Sequence, residues 1–582
     1  MNKRFKRLAA FILSAAMAAA MCVPAYATST GSGTAAEVTE NNNTATITVK
    51  TGGTDTTGYN GDTLSAYKVV TAKIDSTSNT VVYTFTENFK LFMESTEGKT
   101  QDYSKLTPET YSSYTTDSSA ASNLQTLLGA FASYVKATAT AKTADYTATT
   151  NAGVATFSNV AMGQYIIVGS GSTTGAYVYQ TVTAEVIPFA EDNVYKIYPS
   201  YSVTMKTTKP TSEKTIDSGT VTEKVTVGES TKVLNTASIG DEITYTITGT
   251  VPTYPASATN TTYYQKDTLS NGLTLSSTAA DIIVKGYNTE NPDGKQLTNV
   301  TDYTVTINGQ NLYIDYTYAN IKQYEKVTAT YKAVLNDNAV VGTAAGNPNT
   351  YDLVWSNAPY DGTTFTPGPG TNHPTGNGYG TEEHKQIVYT YAIIIDKYED
   401  KVATDKLAGA EFDIKDSNKN VIGHVTTDSN GAASYVGLKA GTYTLTETKA
   451  PAGYKLATKD ITITVDSTAK AFASATTTTT VTYTSDQTKA TIKTQAKDTN
   501  GVLLWVNAAG NTKASATNTD ATYFPAYVAS RTTTVTTSGE SGKGSISDGY
   551  YKVGIANAKG SSLPTTGGMG TVIFTVAGLS LM

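Results

Sequence analysis

Cysteine, histidine and tryptophan are nearly absent from this 582-residue chain, with one, three and two copies respectively. The single cysteine, Cys22, lies in a stretch that reads as a secretory leader. MNKRFKR supplies a basic start, LAAFILSAAMAAAMCV an apolar run, and Ala25-Tyr26-Ala27 a small-residue cleavage site. Met21 does not suit a lipoprotein cleavage site, so no lipid anchor is expected. The exported chain then has no thiol, which excludes disulfides as a source of stability. Scarce histidine argues against a His-based catalytic or metal site, and no nucleophile–His pair or metal-ligand spacing appears, so neither an enzyme nor a cofactor is expected. Basic stripes are missing too. Losing Lys3, Arg4, Lys6 and Arg7 with the leader makes the chain more acidic than the net −6 of the full sequence, which excludes a nucleic-acid partner.

Tyrosine is abundant, with 40 copies, alongside much Thr, Ala, Ser and Gly. β-branched and aromatic residues favour strands, and a chain this long exceeds the ~250–300 residues of a single core, so several mainly β domains are expected. Short alternating runs such as TATITVK, DEITYTITGTVP and YAIIIDKYED, broken by turn residues, suit β-sandwiches. SAASNLQTLLGAFASYVKA at 119–137 has helical apolar spacing and predicts a helical insertion in the first domain. The expected divisions are a leader at 1–27, domains at 28–200, 201–385 and 386–560, and a tail at 561–582. The stretch from Ala358 to Gly380 reads as a linker or long loop, and a polar insertion of unassigned role occupies 465–545.

Alternation along strands exposes a conflict. In YTLTETKAPAGY at 443–454, Glu447 shares a face with Tyr443 and Leu445; in YAIIIDKYED, Lys397 shares one with Tyr391, Ile393 and Ile395; in KVGIANAKG, Asn557 follows Val553 and Ile555. Three polar residues on apolar faces of one domain point to one buried site. VLLWVNAAG offers a rival asparagine, Asn507, in phase with Leu503 and Trp505. The middle domain repeats the pattern, with Lys214 in phase with Ile216, Asp241 with Ile239 and Ile243, and Asn357 with Leu353 and Trp355. The first domain shows no such trio.

Burial lowers the pKa of a lysine and raises that of a carboxylic acid, leaving a neutral amine beside a protonated acid. Such an amine can attack the asparagine side-chain carbonyl while the acid shuttles protons, giving an isopeptide bond and ammonia. Lys214 and Asn357 with Asp241 as acid, and Lys397 and Asn557 with Glu447, are the candidates. A simple buried ion pair is the competing structural explanation.

YTLTETKAPAGY resembles the E-box of Gram-positive sortase-assembled pilins, LAGAEFDI at 407–414 the start of a collagen-adhesin B-type domain, and ASIGDEITYTITGTVP with WSNAP the middle domain of pilus backbone subunits. LPTTG, Leu563, Pro564, Thr565, Thr566 and Gly567, resembles a sortase signal; the following TVIFTVAGLSLM reads as the start of an apolar anchor, shorter than the ~20 residues of a membrane span. The resemblance implies immunoglobulin-like domains of collagen-adhesin A and B type, intramolecular Lys–Asn bonds at the trios above, and cutting by a sortase between Thr566 and Gly567. It implies a wall-linked pilus subunit whose partners are sortase, other pilin subunits and peptidoglycan. Ser200 stands where the shaft-forming members carry a polymerising lysine, leaving Lys196, Lys206 and Lys209 as substitutes. The alternative expectation is a wall-anchored monomeric adhesin or accessory pilin that binds a host glycan or matrix protein.

Overall fold

The computed structural model describes residues 30–39, 43–51, 60–111, 121–137, 142–170, 176–227, 230–342, 345–368, 371–465, 476–490, 495–498, 502–536 and 550–559. The leader and the LPTTG segment lie outside the described residues.

Three β units follow one another, each with two main sheets over its own core, and the first and third carry two smaller sheets besides. In the first, strand Thr44–Thr51 lies between Ser200–Met205 and Val154–Ala161, and Thr63–Asp75 lies between Gly163–Ser170 and Thr80–Phe85. Ile47, Val49, Leu64, Phe157, Tyr165 and Val203 fill the space between these sheets. Helix Ala121–Lys136 forms where the sequence places it, and Glu87–Met93 and Thr96–Thr100 add two short helices that the spacing analysis did not single out. The signal was present in ENFKLFM: Phe89, Phe92 and Met93 recur at helical spacing, and Thr86 caps the start by accepting from the Phe89 N–H. Those rings pack on Phe131 of the longer helix and on the sheet side of Tyr67 and Val69.

The middle unit sets Ser212–Ser218, Glu242–Thr250 and Lys326–Leu335 in one sheet; Tyr379–Tyr389, Asn347–Ser356, Tyr263–Leu269 and Asn311–Tyr316 lie in the other. Alternation is clear in Asn347–Ser356, where Asn347, Asn349, Tyr351, Leu353 and Trp355 all face inward. The Pro/Gly-rich stretch is a loop tied to this unit. His373 stacks on Tyr313 with ring centroids 3.9 Å apart and pairs with Asp315 at 2.9 Å, while Tyr360 is buried against the helices of the first unit.

The third unit pairs its first strand, Tyr391–Glu399, in parallel with its last, Tyr550–Asn557, so that Lys397 lies opposite Ile555 and Glu399 opposite Asn557. Glu411–Lys415, Gly441–Lys449 and Ile461–Val465 belong to the facing sheet. The core between them contains Ile393, Ile395, Phe412, Leu445 and Ile555. Among the described residues, no helix is long and apolar enough to cross a membrane.

Candidate functional site

Lys397, Glu447 and Asn557 converge inside the third unit. Strand alternation turns Lys397 inward, where its residue is 0% exposed, and Glu447 reaches the same point from the opposite sheet. The Lys397 Nζ donates to Asn557 Oδ1 and lies 2.9 Å from Glu447 Oε1. The Asn557 amide nitrogen is 3.0 and 3.1 Å from the two carboxyl oxygens of Glu447, and Glu447 Oε2 also accepts from the Ala457 backbone N–H at 2.6 Å. One carboxyl group therefore touches both nitrogens. The Phe412 ring closes the site, its centroid 5.4 Å from Nζ. Burial pushes the Lys397 amine below the usual lysine pKa, more than Glu447 pushes it up, which shifts the balance toward the neutral nucleophilic form. Asn507 lies elsewhere, its side chain accepting from the Ala509 and Asn511 N–H groups to cap a turn.

The middle unit also has a buried lysine cluster, composed differently from the expected trio. Lys214 Nζ hydrogen-bonds to Asp267 and donates to the Tyr331 hydroxyl at 2.8 Å. Asn349 donates from Nδ2 to the same hydroxyl at 2.9 Å, so one oxygen receives both nitrogens. Tyr245 and Tyr331 stack with centroids 5.6 Å apart, and the ammonium lies 5.1 and 5.5 Å from those rings. Asp267 and Asn349 are fully buried. Burial pushes the Lys214 amine down and the Asp267 carboxyl up, each against the opposing pull of its partner.

Asp241 is not in this cluster. Alternation holds only within a strand, and the strand begins at Glu242 after Gly240, whose φ of +94° belongs to a turn. Asp241 turns back to accept from the Ser238 N–H at 3.0 Å and pairs with Lys439 of the third unit at 3.0 Å. Around that pair, the Lys439 N–H donates to Ser238 Oγ and the Ile239 N–H to the Gly437 carbonyl. A Cβ on Gly437 would meet Ile239 at 2.6 Å, so only glycine permits this approach. Asn357 lies one residue past the end of Asn347–Ser356, with its N–H donating to the Gly378 carbonyl. At about 3.3 Å per residue it is roughly 25 Å along the strand from Asn349.

Asp267 and Asn349 carried the same signal as the residues chosen from sequence. In YYQKDTL, Asp267 is in phase with Tyr263, Gln265 and Leu269, all buried. A further buried acid, Glu399, is in phase with Lys397; it pairs with Lys559 at 3.0 Å and accepts from the Tyr454 hydroxyl at 3.1 Å, clasping the end of the last strand. Of the three substitute lysines, Lys196 is held by Glu191 at 2.7 Å, Lys206 is half-buried and Lys209 is exposed. Among the described residues, no group of three or more His, Cys, Asp or Glu could hold a metal.

Residues 392–481 match the family model SpaA, a prealbumin-like fold domain. The trypsin-resistant surface T6 protein of Streptococcus pyogenes serotype M6 is 30% identical over 351 residues, which is 59% of this chain and 63% of that protein. The chain therefore spans less than two thirds of that relative's length. The solved T6 backbone pilin of serotype M6 Streptococcus pyogenes, described as a modular three-domain structure with variable loops and extensions, superposes with a TM-score of 0.60 at 23% identity, covering 90% of this chain and all of that one. The full-length major pilin SpaD from Corynebacterium diphtheriae aligns at a TM-score of 0.45 and 16% identity, over 89% of this chain and 98% of that one. The chain is thus similar over part of its length to the trypsin-resistant surface T6 protein, shares the mainly β fold of the T6 backbone pilin structure, and matches the SpaA prealbumin-like fold domain at residues 392–481.

Proposed function

We propose that this chain is a structural subunit of a covalently assembled surface pilus, locked internally by two Lys–Asn isopeptide bonds and joined to its neighbours by a sortase acting at LPTTG. The observation that carries this reading is the buried contact of Lys397 with both Glu447 and Asn557, between the first strand of the unit and the last. A buried lysine, acid and asparagine form an expensive arrangement as separate groups, because each charge loses its hydration. Joining amine and amide leaves one neutral link.

The chemistry balances without an added reagent. The Lys397 amine adds to Cγ of Asn557, forming the N–C bond, with the Glu447 carboxyl group beside both nitrogens to move the proton. A proton passes from Nζ through the carboxyl group to Nδ2, the Cγ–Nδ2 bond breaks, and ammonia leaves. The carboxyl contacts support this route, since Glu447 touches both the attacking and the departing nitrogen. The same overall reaction in the middle unit joins Lys214 to Asn349, with Asp267 as the acid.

Assembly needs an amine to resolve the thioester that a sortase would form at Thr566. Lys209 is the best placed of the three lysines, being exposed and located between strands Thr207–Thr208 and Ser212–Ser218, near where the first unit meets the second. Intact mass tests the internal bonds: the exported chain should weigh two ammonia molecules less than its sequence, and a full calculated mass would refute both.

A further inference from the structure

The two lysine clusters differ in what holds the asparagine nitrogen. In the third unit the acid does so, and the neighbouring ring is Phe412, which has no polar atom. In the middle unit the Asn349 nitrogen is held by the Tyr331 hydroxyl, and the same oxygen receives the Lys214 amine. A hydroxyl has two acceptor positions and one proton. Here both acceptor positions face the two nitrogens that would exchange places on the Asn349 carbonyl carbon, and the Lys214 amine that donates to this hydroxyl also hydrogen-bonds to Asp267.

Resting on the isopeptide reading above, we propose that Tyr331 is a catalytic proton relay of the middle-unit reaction, carrying a proton from the attacking Lys214 nitrogen to the departing Asn349 nitrogen. The Lys214 Nζ–Asn349 Cγ bond forms as the carbonyl electron pair moves onto Oδ1 beside protonated Asp267. Tyr331 oxygen then takes a proton from Nζ and gives its own to Nδ2. The Cγ–Nδ2 bond breaks with its electron pair on nitrogen, ammonia departs, the carbonyl reforms, and Tyr331 and Asp267 end as they began.

Three further observations fit this role. Asn349 Oδ1 and Asp267 Oδ1 are both buried with no hydrogen-bond partner, which leaves an Asp267 oxygen open to carry the proton that the step requires. Burial holds the Tyr331 hydroxyl well above the ordinary tyrosine pKa, so it stays protonated and able to donate. Stacking on Tyr245 fixes the ring plane, and with it the position of the hydroxyl.

The test uses the whole exported chain, recovered unfolded from inclusion bodies, diluted out of denaturant, sampled over time and digested. The Lys214–Asn349 and Lys397–Asn557 linked peptides are then quantified by mass spectrometry. Tyr331→Phe keeps the stack and removes the hydroxyl. It should slow the Lys214–Asn349 link on the order of 10²-fold and leave the Lys397–Asn557 link at its normal rate. Tyr351→Phe deletes another buried hydroxyl, one bonded to Gln265 and to the Thr248 carbonyl, and should leave both rates unchanged. Equal rates for Tyr331→Phe and the natural chain would overturn the relay, as would an equal slowing by Tyr351→Phe. A measurement without substitution gives a second check: the Lys214–Asn349 link should form more slowly in D2O, and an unchanged rate counts against the relay. If the natural chain links Lys397–Asn557 but never Lys214–Asn349, the middle-unit bond itself is wrong; if it forms neither, the isopeptide reading fails as a whole.

Discussion

Asn349 and Asn357 lie on one run of chain, and it is Asn349 that shares the Tyr331 hydroxyl with Lys214. Both are fully buried, so burial alone does not distinguish them. Position does, because Asn349 lies opposite Leu269, at the end of the strand that carries Asp267.

Asn349→Ala should therefore raise the mass of the exported chain by the ammonia no longer lost, after correction for the substitution, whereas Asn357→Ala should keep both links. Peptide mapping decides between them. A surviving Lys214 link in the Asn349 variant would restore Asn357 as the partner.

Glu447→Ala should leave Lys397 and Asn557 unjoined and the middle-unit bond intact. Removing one member of a buried charged cluster costs about 3–5 kcal/mol, so the third unit should also melt earlier. Mass and calorimetry on the same sample separate loss of the link from loss of fold. Continued linkage at Lys397 would reduce Glu447 to a structural acid.

The rate of the Lys214 link should have both an acid and an alkaline limb. Burial lowers the Lys214 pKa and raises that of Asp267, so at intermediate pH the pair can hold one proton with the amine neutral and the acid protonated. Lower pH adds a second proton and converts the amine to unreactive ammonium. Higher pH removes the proton from Asp267 and with it the polarising acid. Linked-peptide formation followed in buffers across that range checks this; a rate rising steadily with pH would mean that only amine deprotonation matters.

Asp241→Ala should leave both links in place, since Asp241 pairs with Lys439 at the contact between the second and third units. That pair is partly solvated and contributes no more than about 1 kcal/mol. Intact mass should show both ammonia losses, and calorimetry only a small shift in unfolding. Loss of the Lys214 link would return Asp241 to the reaction.

Lys209→Ala should abolish the ladder of high-mass species formed when the exported chain is incubated with its sortase, while Lys196→Ala should not. A denaturing gel gives the answer. A ladder that survives Lys209→Ala points to Lys206 or to another amine.

Sequence alternation located the third-unit cluster because Lys397, Glu447 and Asn557 all sit inside regular strands, where a period of two fixes the face. It misplaced the acid of the middle cluster because Asp241 precedes its strand, beyond the Gly240 turn, where that period does not apply. The choice between Asn349 and Asn357 was not available from phase, since which part of the opposite sheet faces each asparagine depends on strand pairing between distant segments. The Tyr331 hydroxyl was hidden for a simpler reason: among 40 tyrosines, an inward one reads as ordinary core.

Lys397 and Asn557 are 160 positions apart in sequence yet lie on neighbouring strands. Fully drawn out, that much chain would measure roughly 550 Å at about 3.5 Å per residue. A bond between the two side chains takes this whole contour out of the path from one end of the unit to the other. Residues 465–545 fall inside the bypassed loop, so they can grow, shrink or unfold without altering the distance between the two ends of the unit. Variation within that loop and the length of the unit under tension become independent quantities.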